Sequence, residues 1–380
     1  MTSRERLLSA IRREPVDYVP CCASFNPLSE TLRKGYRWNF PWSADSTLDE
    51  QLQYQVDELN LDQVVSVPVN LCRPKPGIEA RVWLDEDVLH KTYQTPSGEL
   101  HASIRHNERW PHGRDIPFYS DFNIGHFLEP WIQNEADLAC FADIVRLCDS
   151  RQVLAEAREC VLRSLVPAQR YNLATIAHVG MGLTGAQHLF GATQLCVMTL
   201  DNPGLVEAYM EHEHRINLRT IDVLGECGVD IVRRNGFYET ADFYGPDMLT
   251  RFVGPRVRRE AEAARAAGML TSYTLHTGVA PILDYVAALG VDSAFGIDIA
   301  FKGLDLQAVK RTLGGNQALW IGPSSAYHLW AGPQATREAV RRVFSVFGKT
   351  GLILAPCVSA HSIMPWESTL AMVEEWKELR

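Results

Sequence analysis

Ser272–Asp298 reads SYTLHTGVAPILDYVAALGVDSAFGID, and it decides the fold. A short apolar strand ends in His276. A Thr-Gly turn and Pro281 follow, then an amphipathic helix carrying Ile282, Leu283, Val286 and Leu289, and a second strand closed by Asp298. Strand, helix and strand form one βαβ unit, whose C-terminal strand ends are where ligands and chemistry gather. His276 and Asp298 end successive strands, so both are expected to face one pocket.

The same rhythm runs through the C-terminal two thirds of the chain. Helices over 135–146 and 150–165 precede a strand at 171–179. The glycine-rich loop GMGLTG (180–185) leads to helices near 186–199 and 203–226. Strands at 229–234, 270–276, 293–298, 318–322 and 352–356 then alternate with helices at 246–267, 281–289, 304–312, 334–347 and 366–379. Such alternation predicts a parallel sheet with right-handed crossovers. With strands expected at Tyr18–Ser24 and Val64–Val69, the count reaches about eight and predicts a (β/α)8 TIM-type barrel. No Gly-rich dinucleotide fingerprint follows the first strand, which disfavours a doubly wound open sheet. Helix 3–12 reads as an N-terminal extension. Residues 80–105 alternate with period 2 around a turn at Pro96-Ser97-Gly98, predicting an antiparallel β-meander. That meander lies within an insertion at about 26–130, and the whole chain, 1–380, is expected to form a single barrel domain.

Composition bounds the function. The 380 residues carry a net charge of −9, with 46% hydrophobic and 22% charged residues. That balance suits a soluble core and disfavours nucleic acid or anionic membrane, both of which need a basic face. The N-terminal MTSRERLLSAIRREP has no apolar core of the signal-peptide type, and no apolar run reaches about 18 residues. Nine cysteines without regular spacing do not read as a disulfide framework. A cytoplasmic protein is the expectation.

SRERLLSAIRREPVDYVP (3–20), GFYETADFYGPDMLTRFVGPRVRREAEAARAAG (236–268) and GLILAPCVSAHSIMPWESTLAMVEEW (351–376) together resemble the uroporphyrinogen decarboxylase superfamily. The likeness covers residues 2–20 and most of 165–378. It implies a barrel enzyme, either a porphyrinogen decarboxylase or a zinc-dependent methyltransferase that exchanges methyl groups with corrinoid proteins. Decarboxylases of this kind carry an Arg-Gln-Ala-Gly-Arg motif after the first strand. Here that stretch is CCASFNPLSE, with no arginine until Arg33. A polyacid substrate needs several guanidinium forks, so the methyltransferase branch is favoured.

That branch implies a zinc site built from a His-x-Cys pair and a second cysteine after the last strand. The chain keeps His276 and Cys357, but runs His276-Thr277-Gly278 without the paired cysteine, and Pro356 directly precedes Cys357. The ligand set implied is therefore His276, Cys357 and Glu239, with Asp298 as the alternative carboxylate. The zinc would bind and deprotonate a thiol or alcohol, or act as Lewis acid on a methyl-bearing oxygen.

Glu239, Asp298 and His178 are the candidate catalytic groups, and Tyr238, Tyr273 and His361 the candidate substrate contacts. Each has a plainer reading: Glu239 caps a helix through Thr240 or Asp242, Asp298 caps a turn, His178 packs, and Cys357 is an inert buried thiol. Trp330 and Trp366 read as core or rim. The GMGLTG loop would cradle an anion at a helix N-terminus. His212 and His214 read as solvated.

The preferred function is methyl transfer between a small substrate (methyl ether, methylamine or thiol type) and a cobalamin-carrying corrinoid protein. A homodimer is one expected assembly. The alternatives are a metal-free lyase in which Asp298 or Asp242 stabilises a protonated pyrrole, and a non-catalytic paralogue that binds a corrinoid or tetrapyrrole.

Overall fold

The computed structural model describes residues 1–28, 35–119 and 125–380; Arg33 lies outside them. Seven parallel strands form a curled sheet: β2 (Val64–Ser66), β7 (Ala174–Val179), β8 (Ile231–Asn235), β9 (Leu270–Thr274), β10 (Ser293–Phe295), β11 (Ala318–Ile321) and β12 (Leu352–Leu354). Their order is β12-β11-β10-β9-β8-β7-β2, so each strand except the first neighbours its predecessor in the alternating pattern. Apart from the exposed Ser66 and His178, the strands are largely buried, as a parallel sheet covered by helices requires.

The expected first strand, Tyr18–Ser24, is corrected to a single bridge. Cys22 N donates to Leu354 O and Leu354 N to Pro20 O, both at 2.9 Å, while Asp62 N donates to Cys21 O at 2.8 Å. These bonds set residues 20–22 between β12 and the start of β2 and complete a TIM-type barrel. The bridge does not extend because Pro20 has no N–H and the Cys21 N–H turns to the Asp62 carboxylate, 3.3 Å away.

Helix α1 (Ser3–Ile11) opens with a capping box between Thr2 and Glu5. Its Leu7, Leu8 and Ile11 share a core with Cys22, Ile176, Ile231, Phe295, Trp320 and Ile353. The helix plugs the N-terminal end of the barrel, leaving the opposite end for ligands.

The meander is observed as β3 (Glu79–Asp85), β4 (Val88–Thr95) and β5 (Gly98–Arg105), joined by β6 (Phe127–Glu129), all antiparallel. Its inward residues Leu89, Leu100, Ala102 and Ile104 belong to the same core as Phe141, Leu183, Phe190 and Tyr209. These last four lie on α3 (Glu135–Ile144), α5 (Gly182–Phe190) and α7 (Pro203–Glu226). The meander therefore packs beside the barrel against its helices. Strand β13 (Ala360–His361) pairs with β1 (Phe25–Asn26), tying the last barrel loop to the start of the insertion. Among the described residues, no helix is long and apolar enough to cross a membrane.

Two expected helices are broken. The 186–199 segment separates at Gly191 into α5 and α6 (Ala192–Asp201), and the 246–267 segment into α8 (Pro246–Phe252) and α9 (Gly254–Ala266). In both cases a glycine stands at the break.

Candidate active site at the barrel mouth

Because the sheet is parallel, His178, Asn235, His276, Asp298, Gly322 and Pro356 all lie at or just beyond the C-terminal ends of their strands. Asp298 N donates to His276 O at 3.0 Å. The Asp298 carboxylate is buried, accepting from Ser324 Oγ and from Ala300 N, each at 2.8 Å. His276 is half-buried beside Phe237, with ring centroids 5.6 Å apart. Burial lowers its pKa to about 4, opposed by the Asp298 charge and assisted by nearby His361. Its turn is fastened to the preceding loop, where Ala241 N donates to Gly278 O at 3.1 Å and Thr277 Oγ1 to Asp242 Oδ2 at 2.5 Å.

Cys357 stands opposite. Its thiol donates to Gly296 O at 2.7 Å. Burial, then the Asp298 charge, pushes its pKa well above the ordinary thiol value, so it is a protonated thiol. His361 is half-buried and held neutral by burial. His178 is solvent-accessible, and its Nδ1 lies 3.0 Å from Asn235 Oδ1. Desolvation by the surrounding barrel, then Arg233, lowers its pKa to about 4. The mouth therefore presents uncharged imidazoles, a protonated thiol and the hydrogen-bonded carboxylates of Asp298 and Asp242.

The candidate set divides at Glu239. This residue is 0% exposed; Oε1 accepts from Leu183 N at 2.8 Å, Oε2 accepts from Tyr273 Oη at 2.5 Å, and Arg234 Nη2 lies 3.8 Å away. Arg234 pairs in turn with Glu260 at 2.7 Å and Glu213 at 3.5 Å, and Glu260 accepts from His214 at 2.7 Å. Burial raises the Glu239 pKa to about 7 against the pull of Arg234. Both carboxylate oxygens are committed to this network. The substrate role expected of Tyr273 is corrected on the same ground, since it is 0% exposed and bonded to Glu239. Tyr238 is half-buried against Phe243 and stays at the lip of the mouth.

The glycine-rich loop does cradle an anion, but one of the protein's own. Met181 N and Gly182 N donate to Glu213 at 2.8 Å, and Leu183 N donates to Glu239. His214, expected in solvent, is 5% exposed within the same network, and His212 meets Val145 O at 2.8 Å.

The implied zinc site does not fit these residues. His276 supplies a nitrogen, but the Cys357 thiol is turned to the Gly296 carbonyl and Glu239 is engaged elsewhere. Among the described residues, no group of three or more His, Cys, Asp or Glu side chains is placed to hold a metal ion.

Arg233, Asn235, Ser324 and His328 escaped sequence reading. Asn235 closes β8, Ser324 binds Asp298, and His328 Nδ1 accepts from Ser324 N at 2.9 Å. Only Arg233 carried a signal, a charged residue inside an otherwise apolar strand.

The architecture is shared with a known enzyme. A methyltransferase from Methanosarcina mazei superposes with a TM-score of 0.60 at 18% identity, covering 100% of this chain and 99% of the other. A B12-independent methionine synthase from Shewanella sp. W3-18-1, in complex with selenomethionine, gives 0.49 at 11% identity over 95% and 97% of the two chains. No curated protein sequence matches. The uroporphyrinogen decarboxylase profile matches residues 123–379, which hold every barrel strand after β2 and the whole of the mouth apart from its N-terminal side. With more than half of its length matched, this chain belongs to the uroporphyrinogen decarboxylase family.

Proposed function

We propose that this protein is a methyltransferase, moving a methyl group between a small substrate held in the barrel mouth and a corrinoid carried by a partner protein. The observation that carries this reading is the convergence of His276, Asp298 and Cys357 on one mouth, at the positions the resemblance implies. The first-strand stretch CCASFNPL supplies no guanidinium there. The fold shared with the Methanosarcina methyltransferase is compatible with it. Exposed aromatics on mouth loops (Phe243, Phe301, Tyr327 and Trp330) offer a surface for the partner.

The chemistry assigned to the chain needs no metal. The corrinoid, when docked, supplies the centre that gives or takes the methyl group. His276 is neutral at physiological pH and accepts the proton that a thiol or alcohol loses as it is methylated. Asp298 favours the imidazolium so formed, because its charge opposes the burial penalty on that ring.

The test is methyl transfer between methylcobalamin and small thiols or amines, using chelator-treated protein. Turnover is expected to survive chelation and to fall by about 10²-fold or more in His276→Ala. Failure of transfer with every acceptor class, or activity indifferent to His276→Ala, overturns the proposal. The buried Asp298 carboxylate at the mouth favours one second reading, a carboxy-lyase in which it stabilises a protonated substrate ring; release of carbon dioxide in the same assay would select it.

A further inference from the structure

Two adjacent residues of β8 meet opposite fates. Arg234 points to the helices and is paired with Glu260, Glu213 and Glu239. Arg233 points into the barrel, is 6% exposed, and forms no ion pair among the described residues. Its Nε donates to Ser272 Oγ at 3.2 Å, and its Cζ lies 3.8 Å from the Phe295 ring centroid and 4.4 Å from that of Trp320. Its Nη2 has no hydrogen-bond partner among the described residues. Ring faces recover only part of what burying an unpaired ion costs. The site is left with a deficit that a counter-ion fills.

Sheet register fixes where that deficit lies. Arg233 pairs with His178 on one side and with Ser272 on the other. Two residues further on, Asn235 pairs with Thr274. Side chains two apart on a strand share a face, separated by about 7 Å. Arg233 therefore sits one layer beneath Asn235, which holds the mouth residue His178. Thr274, in that upper layer, is 1% exposed, and its Oγ1 also lacks a hydrogen-bond partner among the described residues. Two buried, unsatisfied donors thus lie on the inward face at neighbouring levels, one cationic and one neutral, directly below the mouth.

We infer that Arg233 and Thr274 form a carboxylate subsite at the floor of the mouth, so that the substrate is a small carboxylic acid bound acid-end down. One oxygen takes Nη2–H of Arg233 and the other takes the Thr274 hydroxyl. The Phe295 and Trp320 rings lie against the guanidinium, which leaves its N–H edge to meet an anion in plane and so suits a carboxylate better than a tetrahedral anion. Burial lowers the Arg233 pKa to about 9, which still leaves the guanidinium charged at neutral pH. This inference holds for methyl transfer and for the lyase reading alike, since it concerns what the mouth binds.

Binding is read as a shift in melting temperature at constant ionic strength, so the result does not depend on turnover. Propionate is expected to give a saturable stabilisation, while propionamide and inorganic phosphate give none. Thr274→Val should weaken propionate by about tenfold, Arg233→Lys should weaken it further, and Arg233→Met should abolish it. Equal stabilisation by propionamide or phosphate overturns the subsite, as does a propionate response unchanged in Thr274→Val and Arg233→Lys. Should Arg233→Met fail to fold, the Thr274→Val and Arg233→Lys comparisons still decide. Propionate binding without methyl transfer would retain the subsite and remove the methyltransferase reading.

Discussion

Gly182 is held at φ +54°, and a Cβ there would strike the Glu239 carboxylate and the Arg234 guanidinium. The backbone can donate to Glu213 and Glu239 only because this residue has no side chain. Gly182→Ala is therefore expected to destabilise the fold by about 2 kcal/mol or more, measured by urea unfolding. His188, 4% exposed on α5, makes a pH-dependent prediction. Burial lowers its pKa from 6.5 to about 4, so the folded state binds its proton less readily than the unfolded chain. The stability it contributes is present above pH 6.5 and is lost as pH falls towards 4. Between pH 8 and 5 this group alone removes on the order of 2 kcal/mol, and His188→Gln should flatten that part of the stability profile. Glu239 acts in the opposite sense. Its pKa, raised to about 7, gives a contribution present below pH 4.5 that is lost as pH rises through 7. At this scale the sequence revealed residue types but not directions. His276 and Asp298 were legible because they end their strands. Glu239 lies four residues beyond Asn235, the end of β8, and folds back against Leu183, which no spacing rule foretells.

Barrel closure depends on an element that is barely a strand. Residues 20–22 bridge β12 and the Asp62 backbone, and Asp62 is 1% exposed with its carboxylate 2.6 Å from Arg6. Arg6, 5% exposed, also binds Asp17 at 2.6 Å, so one guanidinium joins α1 to the closing segment. Asp62→Ala leaves that buried arginine without one partner and frees the Cys21 N–H. We expect a loss of about 3–5 kcal/mol, against less than about 1 kcal/mol for the exposed pair Arg163–Glu159, both measured by chemical denaturation. The long alternating segments were legible here, since apolar runs between helices leave few other topologies. The first strand was not. Its apolar composition favoured extension, but Pro20 and the Asp62 side chain withdraw the ladder bonds that would have lengthened it.

At the scale of the molecule, the inserted meander and the barrel meet through one apolar body. Leu89, Leu100 and Ile104 of the sheet contact the core shared by Phe141, Phe190 and Tyr209, and Ile132 N donates to Leu189 O at 3.0 Å. Polar ties reinforce the junction: Ser97 N donates to Asp143 at 2.9 Å, and Lys75 pairs with the same carboxylate at 2.5 Å. The edge strand β3 is exposed along nearly its whole length, Arg81 and Asp85 included, so the meander's burial is carried by β4 and β5. Separate domains meet through smaller and more polar interfaces, and they unfold separately. We therefore expect insertion and barrel to unfold together, in one calorimetric transition whose van't Hoff and calorimetric enthalpies agree. Leu100→Ala, at the centre of the meander's buried face, should lower that single transition by the equivalent of about 2–5 kcal/mol. Hydrogen exchange provides the site-resolved check. In Leu100→Ala, amides of β5 and of α5 should lose protection together; loss confined to the meander, or an early transition with the barrel amides still protected, would show two independent folding units.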